Sequence, residues 1–98
     1  VLQVVVSNLV RNACSYTDEG RIDVHVHNDR VVVSDTGIGM SADALSRAFE
    51  PFYRADPSRP QGTGLGLSIV RRLCDRFGWK VSLASELGKG TEATVIFR

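Results

Sequence analysis

An α/β two-layer sandwich, a mostly antiparallel mixed sheet with helices on one face, is the fold this sequence predicts. Three observations predict it. Two segments repeat apolar residues at helical spacing, two others pair alternating strands across turn residues, and a chain of 98 residues has room for one domain. Elements that each carry a single apolar face are satisfied together by a sheet covered on one side.

The first helix is read from Val1 to Tyr16, where Val5, Leu9, Ala13 and Tyr16 recur every three or four positions and Ser7, Arg11 and Ser15 fall elsewhere. Arg21 to Val26 then alternates, with Ile22, Val24 and Val26 on one side and Asp23, His25 and His27 on the other. Asn28-Asp29 turns the chain into Val31-Val32-Val33, completing a hairpin. The two histidines are expected to face solvent and are given no role. Ser41 is placed to cap a short helix running through Phe49 and ended by Pro51, with Asp43 favoured in its first turn by the helix dipole. From Pro51 to Gly62 the proline-rich stretch is expected to be a mobile loop. A further helix spans Gly66 to Phe77, with Ile69, Val70, Leu73, Cys74 and Phe77 on one face and Gly78 as its left-handed stop. The final hairpin alternates Trp79, Val81 and Leu83, turns at Gly88-Lys89-Gly90, and alternates again at Ala93, Val95 and Phe97. Phe77 and Trp79 are expected in the core.

Hydrophobic residues at 43% and charged residues at 23% are those of a globular domain, not a disordered or coiled-coil chain. A net charge of +1 is no basic field for phosphate backbones, so nucleic acid is not expected as a partner. No apolar run approaches the ~20 residues of a bilayer span, so this chain is expected to make no direct membrane contact. Cys14 and Cys74 stand alone in separate helices, without the second pair that a metal site or disulfide framework requires, and both are read as buried thiols. Helical patterning already under way at Val1 suggests one domain, residues 1–98, cut from a longer protein.

Chemistry is suggested first by glycines, in Asp35-Thr36-Gly37-Ile38-Gly39-Met40 and in Gly62-Thr63-Gly64-Leu65-Gly66-Leu67-Ser68. Backbone without Cβ atoms can approach phosphate closely, and a helix N-terminus favours anions; equally, glycines serve bulges and close packing. Gly88-Lys89-Gly90 lacks the spacing of a P-loop, and G-x-G-x-G between hairpins is not a dinucleotide fingerprint. Asn8 and Asn12, one turn apart on the first helix, are either exposed polar residues or hard oxygen ligands suited to Mg²⁺.

In order, these segments resemble the five boxes of the catalytic ATP-binding domain of sensor histidine kinases, within the superfamily that includes gyrase-type, chaperone and mismatch-repair ATPases. The N box is similar to Asn8 through Thr17, and the first glycine box to Asp35 through Met40. The F box is similar to Phe49-Glu50-Pro51-Phe52-Tyr53-Arg54, the second glycine box to Gly62 through Leu67, and the third to Gly88-Lys89-Gly90-Thr91. The resemblance covers Val1 to Phe97 and implies a Bergerat-type ATP-binding fold with a mobile lid over roughly Met40 to Gly64, held to the core by Phe49 and Phe52.

It also implies roles. Asn12 would coordinate Mg²⁺ on the ATP phosphates with Asn8 in support, and Tyr16 would pack against adenine. Asp35 would accept the hydrogen bond of the exocyclic amino group, which guanine does not present there. Gly37, Ile38 and Gly39 would bring the chain close to the base, with Thr91 completing the polar floor. Gly62, Thr63, Gly64 and Gly66 would hinge the lid and meet the phosphates, with Leu65 and Leu67 anchoring the following helix. Arg54 would neutralise the γ-phosphate, Gln61 would reach the metal on closure, and Arg59 is a lesser candidate.

Two departures bear on activity. Hydrolysing relatives carry a glutamate four positions before the metal asparagine, where this chain has Asn8, favouring transfer over hydrolysis. Many sensor kinases carry a lysine three positions after it, where this chain has Ser15. The resemblance implies a protein-histidine kinase whose γ-phosphoryl acceptor is a histidine on a separate dimerisation domain, with a response regulator as downstream partner. It also implies a cytoplasmic domain of a membrane-anchored parent, inactive in autophosphorylation without its partner domain. A silent nucleotide-binding module and an ATPase are the alternatives.

Overall fold

The computed structural model describes residues 2–15, 17, 20–51 and 66–98, and of Ser15 the backbone alone. In chain order the elements are α1 (Leu2–Ser15), β1 (Ile22–Val26), β2 (Arg30–Asp35), α2 (Ala42–Arg47), α3 (Gly66–Phe77), β3 (Lys80–Glu86) and β4 (Gly90–Ile96). The strands form one open sheet in the order β1-β2-β4-β3. Every pairing among the described residues is antiparallel, both hairpins and the β2–β4 junction alike, in keeping with the mostly antiparallel sheet expected.

Period-2 patterning sends Val31 and Val33 of β2, and Ala93 and Val95 of β4, into the core against Val5, Leu9 and Ala13 of α1 and Val70 and Cys74 of α3. Helices α1 and α3 pack side by side, α1 lying mainly on β2 and α3 on β3. Full burial of each valine or leucine among them stabilises the fold by about 1.5–3 kcal/mol.

Helix α3 closes on Gly78 at φ 72°, with the Trp79 N–H donating to Cys74 O at 2.8 Å and the Gly78 N–H to Asp75 O at 3.4 Å, a Schellman ending. The Ser41 hydroxyl caps α2 by accepting from the Ala44 N–H at 3.2 Å. That helix stops at Arg47 instead of continuing to Phe49. Ala48 and Glu50 make tight i→i−3 bonds to Leu45 and Arg47, and Glu50, preceding Pro51, is disfavoured in helical conformation.

Burial corrects other expectations. Val24 and Val26 point to the helix side, paired with buried Val33 and Val31, yet are 44% and 73% exposed because β1 is an edge strand that α1 covers only slightly. Phe77 is 47% exposed: it ends α3 and stacks on Trp79 at 5.5 Å between ring centroids, so only Trp79 of the two is substantially covered. Cys14 is exposed, since one residue beyond Ala13 rotates it about 100° out of the core, into a groove of about 770 Å³ lined by Leu2, Val6 and Val10. Met40, Ala44 and Ala48 are buried, so the lid expected from Met40 cannot begin there; this stretch belongs to the core. Phe49 does pack against the core, under the Arg71 guanidinium at 5.3 Å. His25 and His27 are exposed, as expected.

Candidate functional site

One end of the sheet gathers several of the described residues singled out by sequence, among them Asp35, Gly39 and Thr91. The Thr36 N–H donates to Arg21 O at 3.0 Å and the Arg21 N–H to the Thr36 hydroxyl at 2.8 Å, so the approach to β1 is tied to the exit of β2. Gly20 lies against the Thr36 side chain and close to Thr17, so the chain just beyond the C-terminal end of α1 meets the exit of β2 next to Asp35. Cross-strand register then aligns Ile22, Asp35, Thr91 and Ser85 in a single row on the helix-covered face.

Asp35 is half-buried, and its Oδ1 accepts from the Gly37 N–H at 2.9 Å, which turns the chain sharply and orients the carboxyl group. The loop that follows lies directly on the β3–β4 turn. Gly39 (φ 70°) has no room for a side chain, because a Cβ would collide with the Glu86 carbonyl; Gly90 (φ 108°) is equally confined by the Asp35 carbonyl. The Gly88 N–H donates to Ile38 O at 2.8 Å. Ser85 stands in the middle: its Oγ accepts from the Met40 N–H at 2.8 Å, donates to Gly90 O at 2.9 Å, and lies 2.8 Å from the Thr91 hydroxyl.

On α1 the Asn8 amide donates to Val4 O at 2.9 Å, which leaves its Oδ1 to act as an acceptor. That oxygen faces Gly66 at the start of α3, 3.5 Å from where a Cβ would be, and Asn12 is half-buried one turn on. An oriented amide oxygen beside a helix N-terminus fits a Mg²⁺–phosphate unit in donor chemistry. No cluster of three His, Cys, Asp or Glu occurs among the described residues, so a cation here would depend on such amides and on phosphate oxygens.

The chain matches, over residues 1–98, the family described as histidine kinase-, DNA gyrase B- and HSP90-like ATPase. It belongs to that family. Among its relatives, sensor histidine kinase RcsC of Escherichia coli K12 is 41% identical across 96% of the chain and 11% of its own length. Sensor protein SrrB of Staphylococcus aureus is 38% identical across 89% of the chain and 16% of its own length. The chain thus spans only a small part of these curated relatives. Full-length ShkA, solved in complex with AMPPNP, superimposes with a TM-score of 0.78 at 36% identity, over 96% of this chain and 20% of ShkA. The mycobacterial sensor histidine kinase MprB gives 0.78 at 27% identity, over 97% and 68% of the two chains.

Of the residues expected at the ATPase-family site, Asn8, Asn12, Asp35, Gly37, Ile38, Gly39, Gly66, Leu67 and Thr91 are described. Tyr16, Arg54, Arg59, Gln61, Gly62, Thr63, Gly64 and Leu65 lie outside the described residues, as do Phe52 and the Ser15 side chain. Ser85 was not among the expected residues. Its signal was nonetheless present: Val81, Leu83 and Ser85 alternate toward the core, so a hydroxyl stands where the period demands an apolar group.

Proposed function

We propose that this domain binds Mg·ATP at the Asp35 end of the sheet and donates the γ-phosphoryl group to a histidine on a separate dimerisation domain, for relay to a response-regulator aspartate. The observation that carries the reading is the half-buried Asp35 carboxyl, oriented by Gly37 and set in register with Thr91 on a floor closed by side-chain-free Gly39 and Gly90. A carboxylate so placed accepts from the exocyclic amino group of adenine and repels the carbonyl of guanine. Asn12 and Asn8 would hold Mg²⁺, which when bound neutralises phosphate charge and orients the transferred group. By the resemblance, Tyr16 packs on adenine, Gly62, Thr63, Gly64 and Leu65 meet the phosphates, Arg54 balances γ-phosphate charge, and Gln61 reaches the metal.

Asn8 is neutral and fixed to Val4, so it offers no carboxylate base for water, which favours transfer over hydrolysis. No helix of the described residues is long and apolar enough to cross a membrane; a cytoplasmic position beneath a membrane-anchored parent is part of the proposal.

Calorimetric titration with Mg·ATP, repeated on Asp35→Asn, tests the site. The substitution is expected to weaken binding at least about tenfold, or about 1.4 kcal/mol, as the base loses its charged acceptor. Unchanged affinity removes Asp35 from adenine recognition.

A further inference from the structure

We infer that Ser85 is a positioning residue for nucleotide selectivity, one that sets the polarity of the Thr91 hydroxyl; the inference rests on the adenine site described above and deepens it. A serine hydroxyl has one proton and two acceptor lone pairs. The Met40 N–H takes one lone pair of Ser85 Oγ at 2.8 Å, and the Gly90 carbonyl, which can only accept, takes the proton at 2.9 Å. The remaining contact, 2.8 Å to Thr91 Oγ1, is therefore donated by threonine. With its proton turned toward Ser85, Thr91 has only lone pairs to present elsewhere.

Register places that acceptor beside the Asp35 carboxyl in the same cross-strand row. Two neighbouring acceptors suit an amino group and disfavour a carbonyl oxygen. Discrimination against 6-oxopurines thus depends on the proton direction of Thr91, and that direction depends on Ser85, which need not touch the ligand. The same hydroxyl fixes the loop after Gly39 to the β3–β4 turn, so its removal also has a structural effect. That effect falls on every nucleotide alike and cancels in a ratio.

The test is the ratio of Kd values for ITP and ATP in the full chain, since the two differ in presenting a carbonyl or an amino group at purine position 6. Ser85→Ala is expected to narrow the preference for ATP at least about fivefold, because the freed Thr91 proton can then serve O6. Thr91→Val is expected to narrow it too, and adding Ser85→Ala to Thr91→Val should change the ratio by less than about twofold, as the coupled pair is already broken. Ser85→Cys, whose thiol hydrogen-bonds only weakly, supplies the same comparison where the alanine variant does not fold. A Ser85→Ala protein that loses affinity for both nucleotides with its ratio intact reduces Ser85 to a structural role and overturns the inference alone. A wild-type chain that binds both equally overturns the adenine reading and this inference with it.

Discussion

Cys14 and Cys74 show what a single side chain owes to its position. Cys74 is fully buried between α3 and the sheet, and burial, aided by the Asp75 carboxylate, pushes its thiol above the ordinary cysteine value. Cys14 opens onto the outer groove of α1. A maleimide at neutral pH is therefore expected to label Cys14 alone in the native protein, with Cys74 reacting only once denaturant is added; native labelling of both at similar rates contradicts this packing. For the acid group Cys74 a raised native pKa means that folding favours the neutral thiol. Its contribution is complete below the unfolded value near 9.0 and declines as pH rises above it, which a falling denaturation midpoint above that pH would show. Both cysteines lay within helical patterns, but periodicity assigns a face without saying which neighbours cover it. For Ser85 the alternation marks an inward-facing hydroxyl, but not its partners, which lie 45, 5 and 6 residues away in sequence.

Elements were legible where a local signal and a tertiary contact agree. The bounds of α3, Gly66 to Phe77, follow from its apolar stripe and the glycine that stops it. Gly78 adopts φ 72° with nothing within 4 Å of a Cβ, so its requirement is conformational and not steric. Gly78→Ala is accordingly expected to destabilise the fold by about 1–2 kcal/mol, read as a lower denaturation midpoint with an unchanged spectrum, and an unchanged midpoint would show the left-handed ending to be dispensable. The less legible elements were those decided at a distance. Helix α2 shortened because tight turns precede Pro51, and β1 kept its alternation while Val24 and Val26 remained exposed at the sheet edge. Strand patterning identifies which way a side chain points; the extent of the helical layer above decides whether it is buried.

At the scale of the whole molecule, the site was legible as separated boxes, and the fold explains why they belong together. Asp35, Thr91 and Ser85 share one row, Gly39 and Gly90 bring two loops into contact, and Asn8 faces the start of α3. On the proposed reading that arrangement holds a nucleotide at one end of an open sheet, while His25 and His27 are exposed on and just beyond the edge strand β1, outside this row. Under the proposed transfer, the acceptor histidine lies on a second body. With γ-labelled ATP and Mg²⁺, the chain alone is expected to retain no label, whereas adding the parent's separately expressed dimerisation domain should place acid-labile, base-stable label on a histidine of that domain. Asp35→Asn should diminish it in step with the loss of binding. Label that appears instead as free phosphate would favour hydrolysis despite Asn8. Bound ATP with no label on the partner would leave a nucleotide-controlled docking module, since binding and transfer are separable and only transfer requires the proposed acceptor histidine.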